Sequence, residues 1–178
     1  MSSAPRMPPP PPPLPSLPPL PQANSRPASI SFEYEELWFS LMRRNWRSLA
    51  LAPIDPGDRA LELAHKLSVI GKTFRSSALT LIDATQLDLE GAARITQQLQ
   101  SPTGAWYGTG AQAERGAESR TLVALDPPRE NALTIPVALA VDTVILLVER
   151  GRTQRAAIER TIQLLGRELV LGAILLGK

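Results

Sequence analysis

There is no cysteine anywhere in the 178 residues, which excludes disulfides and thiolate metal sites, and a single histidine is too little for a histidine-rich metal centre. Charge of neither sign dominates. Nineteen basic residues against seventeen acidic ones leave a formal charge of +2, so composition makes no case for nucleic acid, although a pI near 9.4 is compatible with weak attraction to anionic surfaces. Long apolar runs are also missing. The longest, residues 133–148, is interrupted by Pro136 and Asp142 and is too short to span a bilayer. The N-terminus carries proline where a signal peptide would place its apolar region. These absences predict a soluble cytoplasmic protein with no transmembrane segment and no metal centre.

Proline, by contrast, is abundant and unevenly placed. Twelve of the eighteen prolines fall between Pro5 and Pro27, in a hexaproline run from Pro8 to Pro13 and again around Pro18, Pro19 and Pro21. Such a run lacks backbone donors and holds φ near the polyproline value, so residues 1–30 stay extended and cannot serve as a core element. Two readings fit: a stiff tether, or a ligand for an aromatic-lined groove, since Arg6 followed by Pro9 and Pro12 matches one such pattern.

Residues 31–178 read as one α/β domain. Residues 32–47 begin acidic and end basic, as a helix dipole favours, and Tyr34, Leu37, Trp38 and Leu41 recur at helical spacing. That stripe predicts either a helix covering one side of a sheet or an interface with a partner. Short β-branched and leucine-rich runs follow at 48–52, 79–83, 121–126, 143–148 and 170–175, without the alternation of a half-solvated strand. Runs of this kind suit strands buried on both faces of a parallel sheet. Helical segments separate them, at about 58–75, at 87–99 and twice more beyond Asp126. The spacing predicts five mostly parallel strands in a Rossmann-like three-layer sheet with helices on both faces. Residues 101–120, rich in Gly, Ala and Ser, read as a long loop. Asp83 and Asp126 end two of the strands, on the side where ligands of such sheets lie, and Pro127-Pro128 stop the strand after Asp126.

The order strand, Pro56-Gly57 turn, helix, Leu81-Ile82-Asp83-Ala84, Leu125-Asp126-Pro127-Pro128 and the Val-Asp-Thr-Val-Ile-Leu-Leu-Val run from Val141 resembles the cytoplasmic domain of the bacterial exopolysaccharide tyrosine autokinases. These belong with the Min- and Par-type P-loop ATPases. The resemblance covers residues 32–178 and implies a P-loop NTPase-like fold, ATP and magnesium as cofactors, and an inner-membrane polysaccharide copolymerase as partner. It also assigns Gly57, Arg59, Asp83 and Asp126 to a vestigial nucleotide site.

Departures from that pattern fall where the chemistry would be. A phosphate loop needs glycines to expose amides, a lysine for the β and γ phosphates and a hydroxyl for magnesium. Where the family reads Pro-Gly-Glu-Gly-Lys-Ser/Thr, this chain reads Pro56-Gly57-Asp58-Arg59-Ala60-Leu61. Gly71-Lys72-Thr73 has the letters of a phosphate loop, yet it lies near the end of a predicted helix, whereas phosphate is held at a helix start. Phe32, Glu35 and Trp38 stand where the family's oligomerising residues align, Gly177 near a base-contacting asparagine, and the only tyrosines are Tyr34 and Tyr107. No catalytic residue is expected. The sequence predicts a non-catalytic regulatory or scaffolding subunit of exopolysaccharide synthesis and export. The alternatives are a weak ATPase or kinase using Arg59, Asp83 and Asp126, with residual ATP and magnesium binding, or a Min- or Par-like positioning protein.

Overall fold

The computed structural model describes residues 32–57, 59–74, 79–101 and 120–177. The expectations for the proline-rich segment and for nearly all of the Gly/Ala-rich stretch after Ser101 fall outside these residues. The elements run α1 (Phe32–Met42), β1 (Ser48–Pro53), α2 (Arg59–Phe74), β2 (Leu79–Ala84), α3 (Leu89–Gln100), β3 (Arg120–Leu125), α4 (Thr134–Leu139), β4 (Thr143–Glu149), α5 (Arg155–Leu165) and β5 (Val170–Leu176). The five strands form one sheet in the order β2-β3-β1-β4-β5, and every neighbouring pair is parallel.

That order explains which helix lies where. From β1 the chain moves outward to β2 through α2, then turns back and moves the other way through α3, α4 and α5. Parallel crossovers keep one hand, so a reversal of direction puts α2 on one face and the later three helices on the other. Two cores result. Leu49, Leu51, Leu122, Ala124, Ile145 and Leu147 pack under α1 and α2, whereas Ala50, Ala52, Val123, Leu125, Val144 and Leu146 pack under α3, α4 and α5. Successive residues of each central strand thus feed opposite layers. In β1 the large leucines all face α2 and the alanines all face the other side, which lets the α3 to α5 layer approach closely.

The edge strands depart from the expectation of burial on both faces. β2 is half-buried from Leu79 to Ile82, and in β5 Leu175 is 72% exposed, because an edge strand has a neighbour and overlying helices on one side only. The first helix also stops at Met42 rather than Arg47. Trp46 turns back and donates its indole N–H to the carbonyl of Leu41 at 2.9 Å, a helix-end acceptor that also takes the Arg44 N–H at 3.0 Å, while the Arg120 guanidinium lies 4.6 Å over its ring.

Trp38 and Leu41, read from the sequence either as the cover of the sheet or as partner contacts, are 2% and 5% exposed and belong to the core beneath α1, the first of the two. Tyr34 meets Lys66, Trp38 lies against Gly71, and Phe39 touches Phe74, so α1 and α2 run side by side in the same direction. The helical stripe is an internal seam. Tyr34 and Leu37 are half-buried at its margin, and the aromatics that α1 does expose are Phe32 and Phe39.

At the amino end of the sheet, Asp142 and Ser48 hold β4 to β1. The Asp142 carboxylate accepts the backbone N–H groups of Arg47 at 2.7 Å and Ser48 at 2.8 Å, and the Ser48 hydroxyl accepts the Asp142 N–H at 2.9 Å. Groups that begin a strand without a ladder partner are satisfied this way.

Candidate functional site at the carboxyl edge

The reversal of direction occurs at β1, so the turn after β1 goes to one face while the loops after β3 and β4 go to the other. Ligands of α/β sheets lie beyond the strand ends at such a point. Here that place is bordered by the 54–57 turn, by Asp126 on the β3 side and by residues 149–153 on the β4 side. Asp83 stands one strand further out, paired in register with Ala124. The sequence therefore placed Gly57, Asp83 and Asp126 along one edge of the sheet, and the structure brings them to that edge.

Gly57 has φ +146°, a conformation costly for any residue with a Cβ. A Cβ there would come 4.0 Å from Oε1 of Glu149, so the turn faces a carboxylate. On the same side, the Thr153 hydroxyl donates to Asp55 and accepts the Glu149 N–H at 2.8 Å. Arg152 pairs with Glu149 at 3.1 Å. The loop after β4 is thereby tied to the turn after β1. These residues were not singled out in the sequence. Their one local signal is a threonine two residues beyond Gly151, itself at φ +78°, in the turn that ends β4.

The two strand-end acids are engaged in holding backbone. Asp83 accepts the N–H of Thr85 at 3.0 Å and its hydroxyl at 2.7 Å. Asp126 accepts the N–H of Gln86 at 2.6 Å, and Gln86 is the one non-glycine residue with positive φ, at 57°, among the described residues. Asn131 adds a second tie, donating to the carbonyl of Leu87 at 3.1 Å. Asp88 then caps α3 by accepting the Gly91 N–H at 2.7 Å. The turn between β2 and α3 is thus fixed from both strands.

Arg59, at the start of α2, lies 3.8 Å from Glu62 on an exposed surface. Ala60 is buried at 1% exposure. Gly71, Lys72 and Thr73 occupy the last turns of α2, away from a helix start. Gly71 has a packing reason of its own: a Cβ would meet Leu79 at 2.6 Å and the Trp38 ring at 2.9 Å. The residues present do not fit a nucleotide with magnesium. No lysine or hydroxyl stands in the turn, and Asp55 and Glu149 set negative charge beside it. Among the described residues no group of three or more His, Cys, Asp or Glu is placed to hold a metal ion, and none of their helices is long and apolar enough to cross a membrane.

No protein-family model and no curated protein matches this chain. Among solved structures it is similar to one described as the BceF tyrosine kinase domain, with a TM-score of 0.51 over 81% of this chain and 74% of that one, at 16% identity. Identity at that level speaks to fold: the chain shares the three-layer α/β arrangement of that kinase domain.

Proposed function

We propose that this protein is a non-catalytic relative of the exopolysaccharide tyrosine kinases, acting in the cytoplasm as a regulatory or scaffolding subunit of polysaccharide synthesis and export. Its partner on this reading is the cytoplasmic side of an inner-membrane polysaccharide copolymerase. The observation that carries the reading is the use of Asp83 and Asp126. In a working site they would serve a metal ion and its water, but here they hold the Thr85-Gln86 backbone. The motif order from β1 to β4 and the likeness to a tyrosine kinase domain support the placement in that group. The turn from Asp55 to Leu61, without lysine or hydroxyl, supports the absence of catalysis.

A second reading, a weak ATPase or kinase of altered design, is favoured by Gly57 retaining its positive φ beside Arg59. Titration with ATP and magnesium separates the two. A ligand raises the melting temperature in proportion to its occupancy of the native state, so on the first reading millimolar ATP leaves the melt unchanged and no phosphate is released. Saturable binding that both Arg59→Ala and Asp126→Ala abolish would overturn it in favour of the enzyme.

A further inference from the structure

Among the described residues β5 is the outermost strand on one side of the sheet. Val170–Leu176 hold no charged, polar or proline residue, although these are the usual means by which an edge strand is kept from pairing. A register shift sits at its start, and from Gly172 onward the ladder with β4 is regular. There the Arg150 N–H donates to the Leu176 carbonyl at 3.0 Å. Strand residues turn their backbone groups to alternate sides, so Gly172, Ile174 and Leu176 face β4, whereas the N–H and C=O of Ala173 and Leu175 point outward. Leu175 is 72% exposed. Gly172 is the residue that this chain does not explain. It has no positive φ, and a Cβ on it would meet nothing within 4 Å. Glycine weakens a strand and is found where another segment approaches closely.

We propose that β5 pairs with β5 of a second copy of this chain, antiparallel about a twofold axis at Ile174, so that two five-stranded sheets become one. Two arguments favour a copy of the chain over any other strand. The first is that the sequence of β5 is complementary to itself. About that axis Ala173 stands opposite the partner's Leu175, and Leu175 opposite the partner's Ala173, so the outward backbone groups of each pair exchange both N–H···O bonds. Ile174 and Leu176 pack toward the α1 and α2 core, which puts Ala173 and Leu175 on the α5 side. On the α5 side Leu175 therefore lies against the partner's Ala173. On the other side Leu176 lies against the partner's Gly172, filling the open space there, and the two Ile174 side chains meet at the axis. Large side chains meet small ones on both faces. The second argument is helix spacing. α5 crosses from β4 to β5, and its Ile162, Gln163 and Gly166 line a groove with Val170, so it lies over the space between the two strands. Strands are about 4.8 Å apart. The two α5 helices then lie two strand spacings from each other, about 10 Å, the distance at which helices pack. Each helix closes the groove beside the other, and a twofold contact of this kind ends at two copies.

The test is the mass of the full chain in solution, followed by sedimentation across the micromolar range. A species of twice the 19.3 kDa of one chain is the expected result. Leu175→Lys sets a charge on the edge and should leave a single copy. Gly172→Val places a side chain where the partner's Leu176 would lie, yet meets nothing in its own chain, so it should weaken the dimer by about tenfold or more while circular dichroism stays that of the parent. Should Leu175→Lys fail to fold, Gly172→Val carries the test. Leu89→Lys, on α3 and also exposed, should dimerise as the parent does. A parent chain that stays at 19.3 kDa would overturn the proposal. So would a folded β5 variant that dimerises as tightly as the parent. Loss of the dimer in Leu89→Lys would assign the contact to α3, and growth beyond two copies would show an open association; either result also overturns it.

Discussion

The carboxylate of Asp126 accepts the backbone N–H of Gln86 at 2.6 Å across 40 residues of sequence. It thereby holds a non-glycine residue in the left-handed region, where the conformation alone costs about 1 kcal/mol. Removing the acceptor leaves both the strain and an unpaired N–H. Asp126→Ala should therefore destabilise the fold by about 1–2 kcal/mol, toward the low end of the ~1.5–3 kcal/mol of hydrogen bonds to charged groups because this one is exposed. Asp126→Asn, whose amide oxygen can still accept, should lose less than half of that. Urea unfolding of the three proteins measures it. Equal stability of all three would mean that the carboxylate has no structural task and is free for another.

On the β4 side of the same edge, Thr153 bridges Asp55 and the Glu149 N–H. Thr153→Val keeps the shape and removes both hydrogen bonds, leaving two polar groups unsatisfied in a partly buried place. A loss of about 1–3 kcal/mol is expected. Thr153→Ser should stay within about 1 kcal/mol of the parent, because the hydroxyl remains. Faster amide exchange confined to residues 54–57 and 149–153 in the valine variant would locate the effect in the two tied loops.

Much of the fold was legible because it rests on local signals. Each predicted strand is found within a residue of its expected limits, since buried parallel strands must be short, apolar and bounded by turns. Asp83 and Asp126 were placed at the carboxyl edge by the same reasoning. What those carboxylates touch was not legible, because Gln86 and Thr85 carry no pattern that marks them as donors to a strand end. Thr153 and Asp55 lie 98 residues apart, and Asp142 and Ser48 lie 94 apart; no period or spacing connects such pairs. Which of the two readings of the α1 stripe holds was not legible for a related reason. Helical spacing shows that Tyr34, Leu37, Trp38 and Leu41 share a face, but only the position of α2 decides that the face is covered.

The pair Glu62 and Lys66 gives the pH dependence a defined sign. The Glu62 carboxyl is held below its ordinary value, first by the hydrogen bond from Lys66 at 2.6 Å and then by the charge of Lys66, with Arg59 adding to it. Lys66 is raised above 10.5 by its bond to Glu62 and then by its bond to Tyr34. The contribution of Glu62 is present above the unfolded carboxyl value and is lost as pH falls through the lowered one. That of Lys66 is present below 10.5 and is lost as pH rises through its raised value. Both groups are largely solvated, so Glu62→Gln should cost only about 0.3–0.5 kcal/mol near neutrality. The difference from the parent should fade below the carboxyl range, and salt at about 1 M should reduce it through screening. A cost that persists at low pH would point to lost packing rather than lost charge.

Trp38 and Gly71 yield the sharpest test of how α1 is attached. The Trp38 ring lies where a Cβ on Gly71 would be, with Leu79 closing the other side, so the glycine is required by close approach of helix to helix. Gly71→Ala would gain about 1 kcal/mol from helix propensity in an open helix. Here it must push the indole or Leu79 aside, and overpacking of a filled core costs about 1–3 kcal/mol. The sum should be destabilising, with a shift in tryptophan emission as the ring moves. Trp38→Ala removes the whole side chain from a site that is 2% exposed and should cost about 3–5 kcal/mol. Because the two side chains share one contact, the losses should not add. With the ring gone, Gly71→Ala meets less resistance, and the double variant should be more stable than the sum of the single changes implies, by roughly 1 kcal/mol. Simple additivity, or a Trp38→Ala protein as stable as the parent, would mean that α1 does not rest on α2 through this pair.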